Sequence, residues 1–461
     1  MTTTTVSTKP STAQGYTFPP GPSPKPFIGS SFDFSADPLN FVTRMQRQYG
    51  NAATMPFMGG FKMVMLFTPA AVRYVLTEHP RDFTSREFNY TLQRLLGDGL
   101  LTIDGETHRT QRRMVQPAFH RKRIESYATT MTEHTQEMLV GWRAGETRDI
   151  AAEMQALTLR IVAKTLFDVD LKNDSDQLGH AFSDVIMFPN DRRLSWKNLL
   201  RIDAPFTPYG RYLRGKRKLD ATLYGIISER RQSGIDKGDV LSMLLHSQDE
   251  DSSVMSDQQV RDETMTFFAA GHETTANALA WTFYLLSENP AKQKLLRAEV
   301  QRVLGDRTPT VEDLPNLPYT DMIIKESMRL YPPAWAIGRQ ASQDFDIEGY
   351  HLPKGQIVFM PQWVMHRNPE IWGNDVLEFK PERFDPQHPQ EVPQFAYYPF
   401  GGGPRMCIGM PFAQMEARLL LATIAQHYSL HLVPGFPVVP HPMVTLRPKY
   451  GLQMTVESVV Q

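Results

Sequence analysis

The 461-residue chain holds a single cysteine, Cys407, so no disulfide can form within it, and its redox compartment is unconstrained but in keeping with cytoplasm. Charge of one sign is lacking too: 49 basic residues face 50 acidic ones, a formal net charge of −1. That balance gives no overall case for binding nucleic acid or an anionic membrane. No apolar run reaches membrane length, and residues 1–18 are polar and rich in Thr and Ser, without the apolar stretch of a secretory signal. This tail is expected to be disordered and the protein soluble and cytoplasmic. No repeat and no linker-like composition interrupts the rest. Although length alone suggests about three domains, residues 19–461 are expected to form one, as a monomer.

What is present reads as mainly α with small β-sheets, an α+β composition. Helices are predicted over Asp37–Tyr49, Pro69–Thr77, Glu106–Gln116, Ile124–Trp142, Asp149–Leu166, Gly215–Gln232 and Val240–Ser247 from apolar residues at three- and four-residue spacing. Two extended runs, Ala52–Met58 and Phe61–Phe67, joined by Gly59-Gly60, predict a hairpin. Ser256-Asp-Gln-Gln259 has the spacing of a capping box and opens a pattern that runs to about Ser287, with Pro290 closing it. The long central helix so defined, over about 256–288, would span roughly 45 Å, enough to cross a domain. Beyond Tyr350, prolines and glycines separate short extended pieces such as Gln356–Pro361 and Val444–Leu446, before a turn at Pro448–Gly451.

Cys407 lies in Phe400-Gly-Gly-Gly-Pro-Arg-Met-Cys407-Ile-Gly409, just before a predicted helix from Pro411. A lone cysteine is ordinarily a small buried hydrophobe. Here the glycines let backbone approach a bulky partner, and the helix start favours thiolate over thiol, which suits nucleophilic attack or metal ligation. A phosphate loop is a poor rival: the run lacks the Gly-Lys-Ser/Thr ending, and Pro404 removes a donor.

Within the central helix, Gly271-His272-Glu273-Thr274-Thr275-Ala276 sets polar groups in an apolar pattern. A His-Glu-x-x-His zinc site is excluded by Ala276. Two readings stay open. The Thr274 hydroxyl can bond back to the Ala270 carbonyl and bend the helix near Gly271. Alternatively, Thr274 can face a cavity while Glu273 reaches solvent, and the pair then delivers protons to something bound beside the helix. Glu326 and Arg329 are one turn apart, a spacing also found at Glu78/Arg81, Glu106/Arg109 and Glu299/Arg302. The copy at 326 differs in context, since it precedes Pro332-Pro333, and Arg383 follows later as a second guanidinium for a buried set. His108 and Arg112 share a helical face; with Arg339 and Arg405 they could converge on an anionic ligand.

Taken together and in this order, these pieces resemble the cytochromes P450. Phe400, Gly403, Arg405, Cys407 and Gly409 match that family's haem signature, and Ala270-Gly271-x-Glu273-Thr274-Thr275 is similar to its oxygen-activation motif. Glu326, Arg329 and Arg383 look like its structural triad; His108 stands where many members carry Trp. The resemblance implies the cytochrome P450 fold of a bacterial-type enzyme without a fused reductase. It implies haem b, with Cys407 as the axial ligand of the iron and His108, Arg112, Arg339 and Arg405 at the propionates. Glu273 and Thr274 would guide protons to dioxygen, and the product would be a hydroxylated or epoxidised substrate.

Substrate-lining segments implied by position are Phe88–Leu101, Met187–Phe188, Met265–Ala270, Ala334–Ile337 and Met443–Leu446, with Phe88, Leu96, Phe268, Ala269, Ala336, Ile337 and Val444 as candidate contacts. Their apolar character suggests a lipophilic small molecule such as a fatty acid, terpenoid or steroid. No flavin or iron–sulfur module fits after Gln461, so electrons are expected from a separate ferredoxin or flavodoxin and its reductase. A basic run, Arg109, Arg112, Arg113, His120, Arg121, Lys122 and Arg123, would suit an acidic donor. The alternatives are a peroxide-driven haem-thiolate peroxygenase or isomerase, and a haem-dependent sensor or binder without turnover.

Overall fold

The computed structural model describes residues 6–7, 11–13, 15–23, 29–86, 88–171, 181, 185, 203–204, 206–246 and 254–459. Its contacts divide the chain, which the sequence suggested would be one domain over 19–461, into two compact units. The first comprises residues up to 91, 334–378 and 391–407; the second comprises 92–333, 379–390 and 408–461.

The first unit is built on a five-stranded sheet in the order Ala52–Pro56, Lys62–Leu66, Ile357–Met360, Ile337–Ala341, Phe83–Thr84. The first two strands form the expected antiparallel hairpin, pairing Ala52 with Leu66 and Pro56 with Lys62. Ile357–Met360 runs parallel to Lys62–Leu66 and antiparallel to Ile337–Ala341. Val64, Leu66, Val358 and Met360 enter one core with Val72, Val75 and Phe345. The helix expected over Pro69–Thr77 starts at Pro69 but loosens to a wider π turn over Tyr74–Glu78. One boundary needs correction: order begins before residue 19. Tyr16–Phe18 is a strand paired with Ser11–Ala13, because Phe18 inserts into the core and the Tyr16 ring stacks on His351.

The second unit is mainly helical and is arranged along the central helix, Asp257–Glu288. The capping box is formed: the Gln259 amide donates to the Ser256 hydroxyl at 3.3 Å, and the Ser256 amide to Gln259 Oε1 at 2.9 Å. Pro290 does more than stop this helix, since it opens the next one, Pro290–Leu304, at a position where a missing N–H costs nothing. Ile150–Phe167, Pro208–Ser233, Pro318–Leu330 and Met410–His427 pack against the central helix. Gly271 permits the first of these approaches, because a Cβ there would touch the Val162 side chain at 3.0 Å. The helix expected over Ile124–Trp142 is two helices, Arg121–Ser126 and Ala128–Val140, meeting at Tyr127. A three-stranded antiparallel sheet orders Tyr428–Leu432, Gln453–Ser458 and Thr147–Asp149.

Candidate functional site

In the first unit, Cys407 closes a tight loop: its amide donates to the Phe400 carbonyl at 3.0 Å. The glycines before it are there for close approach. Gly403 has a φ of +66°, and a Cβ on it would fall 1.8 Å from the Leu76 carbonyl oxygen. A Cβ on Gly402 would meet the Phe395 ring at 2.4 Å. The loop is therefore seated by its backbone, and it presents the Cys407 side chain exposed. This is opposite to the burial expected of an inert structural cysteine. Gly401 borders Ile337, and Arg339 lies two residues further along the same strand, on the same face as Ile337. Arg339 and Arg405 are both half-buried, and Arg339 donates to the Gly338 carbonyl at 2.8 Å.

In the second unit, the central helix is buried from Val260 to Phe283 except at Ala269, Ala270, Gly271 and Thr274, which form a single bare patch of small side chains. The Thr274 hydroxyl donates to the Ala270 carbonyl at 2.8 Å, as the first reading had it, and the helix stays unbroken through Gly271. Glu273 turns inward. It is 4% exposed, and its Oε1 accepts from the Thr445 hydroxyl at 2.7 Å, which itself accepts from the Asn277 amide at 3.0 Å. Glu273 thus meets a hydroxyl rather than solvent directly. His272 is buried and bonds the Phe268 carbonyl through Nδ1 at 2.6 Å; burial pulls its pKa down, which disfavours the charged form.

Glu326, Arg329 and Arg383 come together in the second unit. Arg329 makes a fork to Glu326 at 2.7 and 2.8 Å with both side chains fully buried, and Arg383 Nε stands 3.4 Å from the same carboxylate. The Lys380 amide adds a bond to Glu326 at 3.0 Å, tying the 379–390 segment to the Pro318–Leu330 helix. The look-alike pairs differ as context suggested. Glu106–Arg109 is an exposed ion pair, while Glu299 instead receives the Tyr319 and Thr320 amides at 2.7 and 2.8 Å.

His108 and Arg112 sit on the Gly105–Val115 helix, His108 buried and Arg112 half-buried. Arg109, Arg113, His120 and Lys122 are exposed, whereas the Arg123 guanidinium is turned onto the Gly238 carbonyl. Among the pocket candidates, Phe88, Ala269, Ala336, Ile337 and Val444 are partly exposed. Leu96 and Phe268 are buried, and Phe268 stacks on Phe167 with centroids 4.4 Å apart, so its ring serves packing between two helices. Met187 and Phe188 lie outside the described residues. Thr445 and Asn277 were not singled out as partners of Glu273; the i, i+4 spacing of Glu273 and Asn277 was the available signal.

The cytochrome P450 family model matches residues 19–456, and the chain belongs to that family. It is 34% identical to cyclooctatin synthase of Streptomyces melanosporofaciens, over 91% of this chain and 92% of that protein. It is 34% identical to pentalenene oxygenase of Streptomyces avermitilis, over 94% and 96% respectively. Among solved structures, retinoic acid-bound cyanobacterial CYP120A1 matches with a TM-score of 0.84 and 29% identity, over 96% of this chain and 99% of that one. The protein is a cytochrome P450 monooxygenase with a haem-iron cofactor. Among the described residues, no helix is long and apolar enough to cross a membrane.

Proposed function

We propose that this enzyme hydroxylates or epoxidises a terpenoid or similarly lipophilic substrate, using haem b ligated by Cys407 and with residues 19–461 acting as one haem domain. The observation that carries the cofactor assignment is the exposed Cys407 on a backbone-seated glycine loop, a sulfur presented for ligation. Residues His108, Arg112, Arg339 and Arg405 supply the cationic and N–H donors that two propionates require. When bound, haem iron supplies the oxidising chemistry, and a thiolate ligand donates electron density that favours O–O cleavage.

On the central helix, Ala269, Ala270, Gly271 and Thr274 offer a small-residue surface where substrate and dioxygen can lie. The Thr274 hydroxyl holds a proton at Oγ1 and can exchange its bond to Ala270 for one toward that surface. Glu273 takes protons through the Thr445 hydroxyl, and Asn277 orients that hydroxyl. Glu326, Arg329 and Arg383 fix the scaffold and touch no substrate. The substrate class is supported by the names of the two Streptomyces relatives and by the retinoic acid bound in the structural neighbour.

Electrons would come from a ferredoxin or flavodoxin docking near Arg109, Arg113, Arg121, Lys122 and Arg123. Charge reversal at Arg113 and Lys122 should then slow reduction at low salt, and unchanged rates would remove that surface from consideration. The test of the main proposal is the absorption spectrum of the reduced, carbon monoxide-bound protein. The red-shifted thiolate–haem band should be present in the wild type and lost in Cys407→Ala; persistence of the band in the variant would overturn the ligand assignment.

A further inference from the structure

Three aromatic side chains of the second unit stand in contact near the end of the central helix, and neither the proton path nor the scaffold triad uses them as a set. Trp281 lies seven residues beyond Thr274, two turns on, which puts it about 10 Å further along the helix axis. Its ring is fully buried, and its indole N–H is spent on the Leu446 carbonyl at 2.9 Å. Tyr331 directly follows the Pro318–Leu330 helix and is held there by its amide, which donates to the Ser327 carbonyl at 2.7 Å. Its phenol ring lies flat on Trp281, with centroids 4.2 Å apart and planes 9° from parallel. Tyr284, one turn after Trp281 on the same helix, meets both rings edge-on, 5.9 Å from Trp281 and 6.1 Å from Tyr331.

Stacked and edge-to-face rings are favourable packing, but phenylalanine would supply that packing as well. The partners of Trp281 are instead two phenols, and both are partly exposed while the indole is dry. The set therefore runs from an interior indole to phenols that water can touch. Indole and phenol are among the few side chains that give up one electron to leave a persistent radical, and rings in van der Waals contact pass electrons far faster than saturated chain does. Burial, the Tyr331 phenol and the Glu288 carboxylate push the Tyr284 phenol up to about 12, so it keeps its proton at neutral pH and parts with it only on oxidation.

We propose that Trp281, Tyr331 and Tyr284 form a relay that carries oxidising equivalents out of the haem site when no substrate takes them. The proposal rests on the haem reading above. Trp281 gives one electron toward the haem and regains it from one of the two phenols. That phenol loses its proton to water and becomes a neutral phenoxyl radical, which a small thiol at the surface restores by giving up a hydrogen atom. Two such passages, with two protons from solvent, turn the undelivered oxygen atom into water, while two thiol molecules join as a disulfide. The relay forms no product; it protects the enzyme.

The experiment uses the haem-loaded enzyme without substrate, mixed with an equimolar amount of hydrogen peroxide and frozen at once for electron paramagnetic resonance. The wild type should show a phenoxyl radical. The double variant Tyr284→Phe/Tyr331→Phe keeps both rings; it should lose that signal and show an indole radical in its place. Trp281→Phe should suppress the phenoxyl signal although both phenols remain. A phenoxyl signal that persists in the double variant would belong to another of the 16 tyrosines and would overturn the relay. Its persistence in Trp281→Phe would overturn the route through the indole. The second readout is haem absorbance with reductant, dioxygen and a small thiol present but no substrate, where bleaching should be faster in the double variant than in the wild type. Equal bleaching would overturn the protective role. A wild type that lacks the red-shifted thiolate–haem band under carbon monoxide would instead sink the underlying haem reading, before any variant is compared.

Discussion

Glu416 offers the most quantitative test of how the second unit is packed. It lies fully buried on the Met410–His427 helix, and neither carboxyl oxygen has a hydrogen-bond partner. The Thr275 hydroxyl is close enough to favour the ionised form slightly but does not reach hydrogen-bond geometry. Burial therefore dominates and pushes the carboxyl from its ordinary 4.5 up to about 8. The unfolded chain gives up this proton near 4.5, whereas the folded protein keeps it until about 8. Across that window the unfolded state binds fewer protons, so stability falls as pH rises. For one such group the loss between about pH 5 and about pH 8 is at most about 3.5 kcal/mol. Glu263 titrates over the same range and adds to the wild-type slope. Glu416→Gln, neutral and nearly isosteric, should remove one of the two contributions. Urea unfolding of both proteins at the two pH values measures it: the wild type should lose about 2–3.5 kcal/mol more than the variant. Parallel losses in the two proteins would refute the claim that Glu416 is protonated and dry in the folded state.

Three other outcomes are expected. Glu326→Ala leaves the buried Arg329 and the Lys380 amide without their acceptor, and should cost about 3–5 kcal/mol in denaturant unfolding; a change below about 1 kcal/mol would mean that Arg329 finds another partner. Gly403→Ala must move the loop off Leu76 and strain a left-handed backbone, so the ratio of haem to purified protein should drop sharply while far-UV dichroism is kept. Thr274→Ala should lower product formation by about 10²-fold while reductant consumption continues, read as product formed per reductant oxidised; a preserved ratio would remove Thr274 from proton delivery.

The sequence was most readable where a function depends on residues close together in the chain. The capping box at Ser256 and the Glu326/Arg329 fork are set by spacings of three residues, and both contacts are formed. The break between Ser126 and Ala128 was hidden because both helices share one apolar period, and only their packing separates them. Pro290 carries equal weight as a stop and as a first-turn residue, so its role in opening the next helix could not be told from its stopping the last. Strand pairing was least legible: Lys62–Leu66 meets Ile357–Met360 from 294 residues away, and nothing local in either segment names the other. Phe268 shows the same limit in a side chain, since an apolar residue near a candidate pocket reads alike whether it faces ligand or, as here, the Phe167 ring.

Partner identity is also what separates the two working faces of the central helix. Glu273, Asn277 and Trp281 follow at four-residue spacing, and all three are fastened to one short segment: the first two through the Thr445 hydroxyl, the third by its indole N–H to the Leu446 carbonyl at 2.9 Å. The Trp281 ring is itself fixed by stacking on Tyr331 at 4.2 Å. That segment is in turn held by the Leu446 amide on the Pro333 carbonyl at 2.8 Å, just beyond the helix that bears Glu326 and Arg329. Thr445 ends the turn between the paired strands Pro440–Pro442 and Leu446–Pro448, so the bonds that fix Leu446 also fix its neighbour Thr445. The register that places Thr445 against Glu273 is therefore enforced by Trp281 and Pro333. On the neighbouring face, Ala270, Gly271 and Thr274 carry small side chains, while Glu263 and Phe267 one to three turns earlier are buried. The fastening therefore falls on the face assigned to protons.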